Sequence, residues 1–162
     1  MLEKNMLDQL NGQLNLECYS YHLYWQMSAW CAAQGFPGSA GFLRLAAQSE
    51  QKHLEKLLNY ISDTGALPLI GTISAPPDEF PSLPDLFQQI YEHEQAISDR
   101  INTLVHQALM TQDYTTFNFL QWFVSEQCQE EKQWKRILDQ LEWLGNESKA
   151  LFLFDQSLQH TG

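Results

Sequence analysis

The sequence predicts an all-α protein: a four-helix bundle with one long crossover and a short fifth helix at the C-terminus. Three observations predict it. Four long stretches carry apolar side chains at steps of three and four, the spacing that keeps residues on one helix face. Glycine, proline and capping residues punctuate the chain between them. Only one of the intervening links, residues 66–81, is long.

The first helical pattern runs from about 4 to 33 and stops at Gly35. "FPGSAG" then makes a tight turn, with Ser39 the expected N-cap of a second helix over about 39–64 and Gly65 its C′ residue. Pro68, Pro76, Pro77 and Pro81 forbid regular helix in "ALPLIGTISAPPDEFP". Ser82 followed by Asp85 is a capping arrangement for a third helix, about 82–110. "TQD" is a short link, Asp113 caps a fourth helix over about 114–144, and Gly145 closes it. An apolar-rich segment, about 147–158, predicts the fifth. The whole, residues 1–162, reads as a single domain with room for one buried core.

Loop length sets topology. Short links make antiparallel neighbours of helices one and two, and of three and four. The sixteen residues of the long link reach about 50 Å when extended. A helix of these lengths is only about 40 Å long. The link can therefore run the length of the bundle and set helices two and three parallel.

Apolar residues at 44% and five Trp exclude a disordered polyelectrolyte. A formal net charge of -11 argues against nucleic acid and anionic membranes as partners and suits a protein that meets cations. No apolar run approaches a membrane span, and no signal peptide opens the chain. Cys18, Cys31 and Cys128 show no metal-motif spacing and read as reduced thiols of a cytoplasmic protein.

Each apolar stripe is interrupted near its middle by an acid. The stripes read Leu10, Leu14, Glu17, Tyr21, Tyr24, Ser28; then Leu43, Ala46, Glu50, His53, Leu57, Tyr60. The third reads Leu83, Phe87, Ile90, Glu94, Ile97, Ile101, Leu104, and the fourth Leu120, Phe123, Gln127, Glu130, Trp134, Ile137, Leu141. Glu17 and Glu50 are 33 residues apart, as are Glu94 and Gln127, and His53 and Glu130 each lie three further on. The two hairpins thus carry polar groups in the same register.

Burying a carboxylate costs several kcal/mol unless something compensates it. In one helix, hydrogen bonds or a shared proton would suffice. Glu17, Glu50, Glu94 and Glu130 at one level would repel one another, and no stripe contains Lys or Arg. A pair of divalent metals is the simplest source of the missing positive charge. Carboxylates with an imidazole suit iron or manganese. A Glu from each of two helices and a Glu-x-x-His from each of the others is the ligand pattern of di-iron bundles. Glu50 and His53 form one intact Glu-x-x-His, whereas its counterpart is Gln127 and Glu130. The expected site is therefore asymmetric. Glu17, Glu50 and His53 hold one metal well; Glu50, Glu94 and Glu130 hold the other, with Gln127 a weaker, neutral neighbour.

"NLECYSYHLYWQMSAWC", "TFNFLQWFVSEQCQEEK" and "SDTGALP" resemble helix A, helix D and the end of helix B of the bacterial non-haem ferritins, and the likeness extends over nearly the whole chain. The resemblance implies a homo-oligomeric shell of twenty-four subunits that oxidises Fe(II) with O2 or H2O2 and stores Fe(III) mineral. It implies ferroxidase roles for Glu17, Glu50, His53, Glu94, Gln127 and Glu130, with Tyr24 and Trp122 beside them. Bacterioferritins are similar but carry a haem-ligating Met just after the equivalent of Gln51; Lys52 stands here, so no haem is expected. Similar ferritins add a third iron site at the positions of Ser49, Glu126, Gln129 and Glu130. Two of those four are uncharged, which leaves Glu126 as a remnant of that site or a point of ion transit.

His22, His93, His106 and His160 fall off the stripes and are expected at the surface, as is Glu131. The fifth helix resembles the one that lines the fourfold axis of the shell. Two rivals share the composition: a di-iron peroxidase or oxygenase of the same fold, and a helical scaffold with a structural metal.

Overall fold

The structure is a computed structural model and describes residues 1–159. Five helices follow one another: α1 (Lys4–Ala33), α2 (Pro37–Asp63), α3 (Leu83–Met110), α4 (Tyr114–Leu144) and α5 (Ser148–Gln159). Helices α1 to α4 form the bundle, and α5 packs mainly on α2 and also on α4. No strand occurs among the described residues. Among them, too, no helix is long and apolar enough to cross a membrane.

Local chemistry sets most helix ends. Ser82 accepts a hydrogen bond from the Asp85 amide at the start of α3, and Asp113 accepts one from the Thr116 amide at the start of α4. Gly65 and Gly145 take φ of 82° and 83°, the left-handed conformation that a side chain disfavours.

The start of α2 differs from expectation. Pro37, whose fixed φ and missing N–H suit the first helical position, begins the helix two residues early, so Ser39 is not the N-cap. Phe36 takes that place and has no side-chain acceptor to offer. Asp155 of α5 supplies it instead: its carboxylate oxygens accept the Gly38 and Ser39 amides at 2.9 and 2.7 Å. A Cβ at Gly38 would lie 1.9 Å from the Asp155 carbonyl oxygen, so this approach requires glycine.

The long link travels along α1. Leu69 and Gly71 donate their amides to Asn11 and Asn15 near the start of that helix. Phe80, at the far end of the link, packs edge-on against Trp30 near its finish. Helix α3 therefore starts beside the end of α1 and runs back along it, which is why Tyr24 meets Glu94 and Arg100 reaches the Gln9 carbonyl. Polar residues at the same height divide the core into two apolar clusters. One lies around Tyr24, Leu43, Phe87 and Trp134, the other around Leu10, Leu57, Ile101 and Phe123.

The stripes shift slightly from those traced by spacing. On α2 the buried positions are Ala47 and Ile61, with Ala46 and Tyr60 half-buried; on α1 Tyr21 is half-buried. His22 and His106 are exposed, and His160 lies outside the described residues. His93 is not a surface residue. Its ring accepts or donates a 2.8 Å hydrogen bond with Ser20 and meets Tyr19 and Tyr24 edge-on, because Ser20 and Tyr24 give α1 a second inward-facing row. Cys18, Cys31 and Cys128 are free thiols, the first two buried.

Candidate metal centre

Between the two apolar clusters, Glu17, Glu50, His53, Glu94 and Gln127 are all buried to 3% exposure or less. Each sits where a core residue would sit on its own helix, so the bundle brings the four polar levels together by the same register that packs its leucines.

The α1–α2 side of the centre is open in a chemical sense. His53 Nδ1 lies 3.2 Å from Glu50 Oε2 and 3.6 Å from Glu17 Oε2. Neither oxygen has a hydrogen-bond partner, and neither ring nitrogen of His53 has one. Four buried ligand atoms without partners are costly unless something else occupies the space between them. Glu17, Glu50 and His53 present their ligand atoms within 4.8 Å of one another, a group that could hold a metal ion. The other Glu17 oxygen is held at 2.7 Å by Gln13, one turn earlier on α1.

The α3–α4 side is closed. Glu94 accepts from the Tyr24 hydroxyl on one oxygen and from the Gln127 amide, at 3.0 Å, on the other. The same amide nitrogen lies within 3.3 Å of the Glu94 carbonyl oxygen and the Ser98 hydroxyl. Glu130 accepts from the Trp134 indole N–H at 3.2 Å. Gln13, Ser98 and Trp134 were not among the expected site residues. Gln13 and Trp134 stand four positions from the acids they hold, a spacing that could have found them.

Trp122 meets the His53 ring edge-on, with centroids 5.4 Å apart, and Lys56 Nζ sits over the Trp122 ring, 4.6 Å from its centroid. Glu126, half-exposed on α4, reaches His53 from the far side: its Oε2 lies 3.8 Å from Nε2. His53, Glu126 and Glu130 form a second group that could hold an ion. Ser49 does not join that group. It lines a cavity of about 140 Å³ with Phe42, Leu45, Ala46, Gln133 and Glu130, while Gln129 is exposed.

Burial and proximity shift the titrations of Glu17, Glu50, His53, Glu94, Glu130 and Tyr24. Burial pushes Glu50 well above the ordinary carboxylate range, and the Glu17 charge adds to it. Burial, with Glu130 beside it, lifts Glu94 to about 7. Burial also raises Glu130. Glu17 goes the other way: burial opposes its charge, but His53 and then Glu50 hold it below 4.5. Burial likewise opposes a charged His53, yet Glu17 and Glu50 keep it protonated up to about 11. Without metal the α1–α2 side is thus an ion pair beside a neutral carboxyl, one positive charge short of ionising fully. Burial and the Glu94 charge raise Tyr24 well above the phenolic range, so its hydroxyl remains a donor.

A helical bundle with one long crossover and a buried carboxylate–imidazole cluster defines a class, that of helical-bundle proteins with a core group that could hold a metal ion. Comparison with known proteins narrows it. The ferritin-like domain profile matches residues 7–144. A bacterial non-heme ferritin of Escherichia coli O6:H1 is 51% identical over 158 residues, covering 98% of this chain and 96% of that one. A probable bacterial non-heme ferritin-like protein of Haemophilus influenzae is 49% identical with the same coverage. Among solved structures, an open-pore ferritin of Archaeoglobus fulgidus superposes with a TM-score of 0.96 at 33% identity, covering 99% of both chains. The chain belongs to the ferritin family.

Proposed function

We propose that this chain is an iron-storage ferritin that takes Fe(II) as substrate in pairs at the buried centre, oxidises it with O2 or peroxide, and keeps the Fe(III) product as mineral inside a shell of twenty-four subunits. The observation that carries the reading is the convergence of Glu17, Glu50 and His53 atoms that lack hydrogen-bond partners in one buried group. The non-heme ferritin names of relatives at about half identity support it.

In this reading Glu17, Glu50 and His53 Nδ1 bind the first ion. Glu50 also serves the other ion, together with Glu94 and Glu130. Two cations supply the charge that lets Glu50 and Glu94 ionise, and iron supplies the electrons. The chain does the rest: Gln13 fixes Glu17, Tyr24 and Gln127 fix Glu94, and Trp134 fixes Glu130, so the carboxylates are oriented before an ion arrives. Gln127, neutral, weakens the second position and favours release of the ferric product. Trp122 and Phe123 hold the His53 ring in place. With Ser49 and Gln129 in place of carboxylates, two ions bind tightly per subunit. Lys52 stands where a haem-ligating Met would be, and no haem is part of the function.

Assembly follows the same reading. Leu67, Leu69 and Ile70 of the long link, and Trp143 and Met110 at helix ends, are exposed on the isolated subunit. Contact with neighbouring subunits would cover them. The proposed setting is the cytoplasm, with neither nucleic acid nor membrane as partner.

Aerobic loading with several hundred Fe(II) per shell tests the function against both rivals. A ferritin keeps that iron in solution inside a particle of twenty-four subunits by light scattering. A stable monomer or dimer, or precipitation of the iron, overturns storage. Retained iron chemistry without retained mineral would point to an oxygenase or peroxidase.

A further inference from the structure

Glycine within a helix lowers stability relative to alanine, so one placed there wants a reason. Gly12 lies well inside α1, and a cation fills the space beside it. A Cβ built there would stand 2.2 Å from Arg100 Nη2 and 3.4 Å from its Cζ. The Arg100 guanidinium thus crosses from α3 and lies against α1.

It is poorly satisfied in that place. Its hydrogen bond is a long one, from Nη2 to the Gln9 carbonyl oxygen at 3.4 Å. Its Nε is buried and has no hydrogen-bond partner. Among the described residues the ion pairs belong to His53 and to Lys135 with Asp139, and Arg100 has none. The chain carries twenty Asp and Glu against nine Lys and Arg, so this half-buried cation does not go unpaired for want of acids. A guanidinium cannot shed its charge, and its donors stay unmet.

Arg100 borders a groove of about 500 Å³, a size within the range of small-molecule sites. Asn15, Leu16 and Tyr19 of α1 line one side, and Thr72, Ile73 and Ser74 of the long link line the other. The link is fixed here, because Asn15 donates to the Leu69 carbonyl at 2.8 Å and accepts from the Gly71 amide at 2.7 Å. Leu16 and Ile73 supply apolar surface; Tyr19, Thr72 and Ser74 supply hydroxyls. No residue of the buried metal centre lines this groove.

We propose that the groove between α1, α3 and the long link binds a small organic carboxylate, with Arg100 as its counter-ion. The planar fork of a guanidinium matches the two oxygens of a carboxylate. Arg100 gives up only the long bond to Gln9, and a short rise off Gly12 turns Nε toward the groove. The hydroxyls take the remaining lone pairs, and the carbon body of the ligand packs on Leu16 and Ile73. Inorganic phosphate meets the same donors but offers nothing to the apolar walls. The field of a chain with net charge -11 opposes any anion, so binding depends on this one arginine. The site is independent of the iron reading.

Calorimetric titration of the assembled, metal-free protein with benzoate tests this, with benzamide and inorganic phosphate as controls. Benzoate should bind saturably, and both controls more weakly. Arg100→Ala should weaken benzoate by about tenfold or more, the loss of a charge-assisted pair. Arg100→Lys, which keeps the charge without the fork, should fall between the two. Absence of benzoate binding to the wild type overturns the site. Benzamide or phosphate bound as tightly as benzoate overturns the carboxylate assignment, and undiminished binding by Arg100→Ala overturns the counter-ion. Light scattering of Arg100→Ala should match the wild-type particle. Failure to assemble would give the unmet charge to an acid of a neighbouring subunit and overturn the small-molecule site.

Discussion

On the α1–α2 hairpin, Glu17, Glu50 and His53 meet with four buried ligand atoms unpartnered. On the α3–α4 hairpin, Glu94, Gln127 and Glu130 meet at the same height and are already hydrogen-bonded, by Tyr24, Ser98, Trp134 and one another. One substitution of type explains most of the contrast. Gln127 has an N–H2 to give, and it gives it to Glu94; a carboxylate there could only repel. The same amide that makes the second half comfortable without metal also makes it a poorer host for one. Under the proposed function, two hairpins with matching registers thus divide the work between a half that needs a cation and a half that merely accepts one.

The comparison breaks most severely at Glu50→Ala, since Glu50 is proposed to serve both ions. Rapid Fe(II) oxidation, followed by stopped flow, should fall by at least about 100-fold, beyond the loss typical of a supporting group. The metal-free bundle should melt no lower than the wild type, because a buried acid among acids is removed. Undiminished fast oxidation would end the assignment.

The pH dependence of the metal-free protein comes next. His53 is held from 6.5 up to about 11, so its contribution to stability is complete below pH 6.5 and is lost as pH rises toward 11. Glu50 and Glu94 are raised, so their burial increasingly opposes folding once pH passes the ordinary carboxylate range. All three slopes run the same way, the Glu94 part ending near pH 7: melting temperature should fall from mildly acidic to alkaline pH, and Zn(II) should flatten the fall. Binding of the first ion at neutral pH should release roughly two protons, one each from Glu50 and His53, measurable by calorimetry in buffers of different ionisation enthalpy. Binding without proton release would contradict the charge state argued for the open half.

Gln127→Glu sharpens the comparison by making the halves alike. The metal-free protein should lose about 1–3 kcal/mol in denaturant melts, since Glu94 loses a donor and gains a like charge. Anaerobic titration should show the second ion bound about tenfold more tightly, one carboxylate's worth of charge. An unchanged second affinity would mean that Gln127 is not the source of the asymmetry.

The smallest effect is expected at Tyr24→Phe. Loss of the hydroxyl donor to Glu94 should cost about 1–2 kcal/mol without metal, and less once a cation compensates Glu94. Affinity for the first ion, on the other hairpin, should not move.

Much of this was legible in the sequence because register is a linear property. Glu17, Glu50, Glu94 and Gln127 lie in their core stripes by counting threes and fours, and the bundle then stacks them. What counting does not reach is the cross-helix partner. His93 falls off the α3 stripe and so reads as exposed, but α1 has a second buried row, Ser20 among it, that covers the ring. The early start of α2 was written in Pro37, yet Ser39 was the more conspicuous cap, and its acceptor role is filled by a residue 116 positions away. The unpartnered Nε2 of His53 is likewise a fact of three dimensions. No spacing shows which way an imidazole faces.

That distant cap also imposes an order on biosynthesis. Helices α1 to α4 leave the ribosome before Asp155 does, so the nascent bundle can pair its hairpins while the first amides of α2 still lack their acceptor. A later-made segment completes an earlier-made helix. A chain released short of Asp155 therefore keeps a loose joint at Gly38 and Ser39, where local opening should begin and where proteases should cut first. Helix α5 is thus a seal applied only after the four bundle helices have been made.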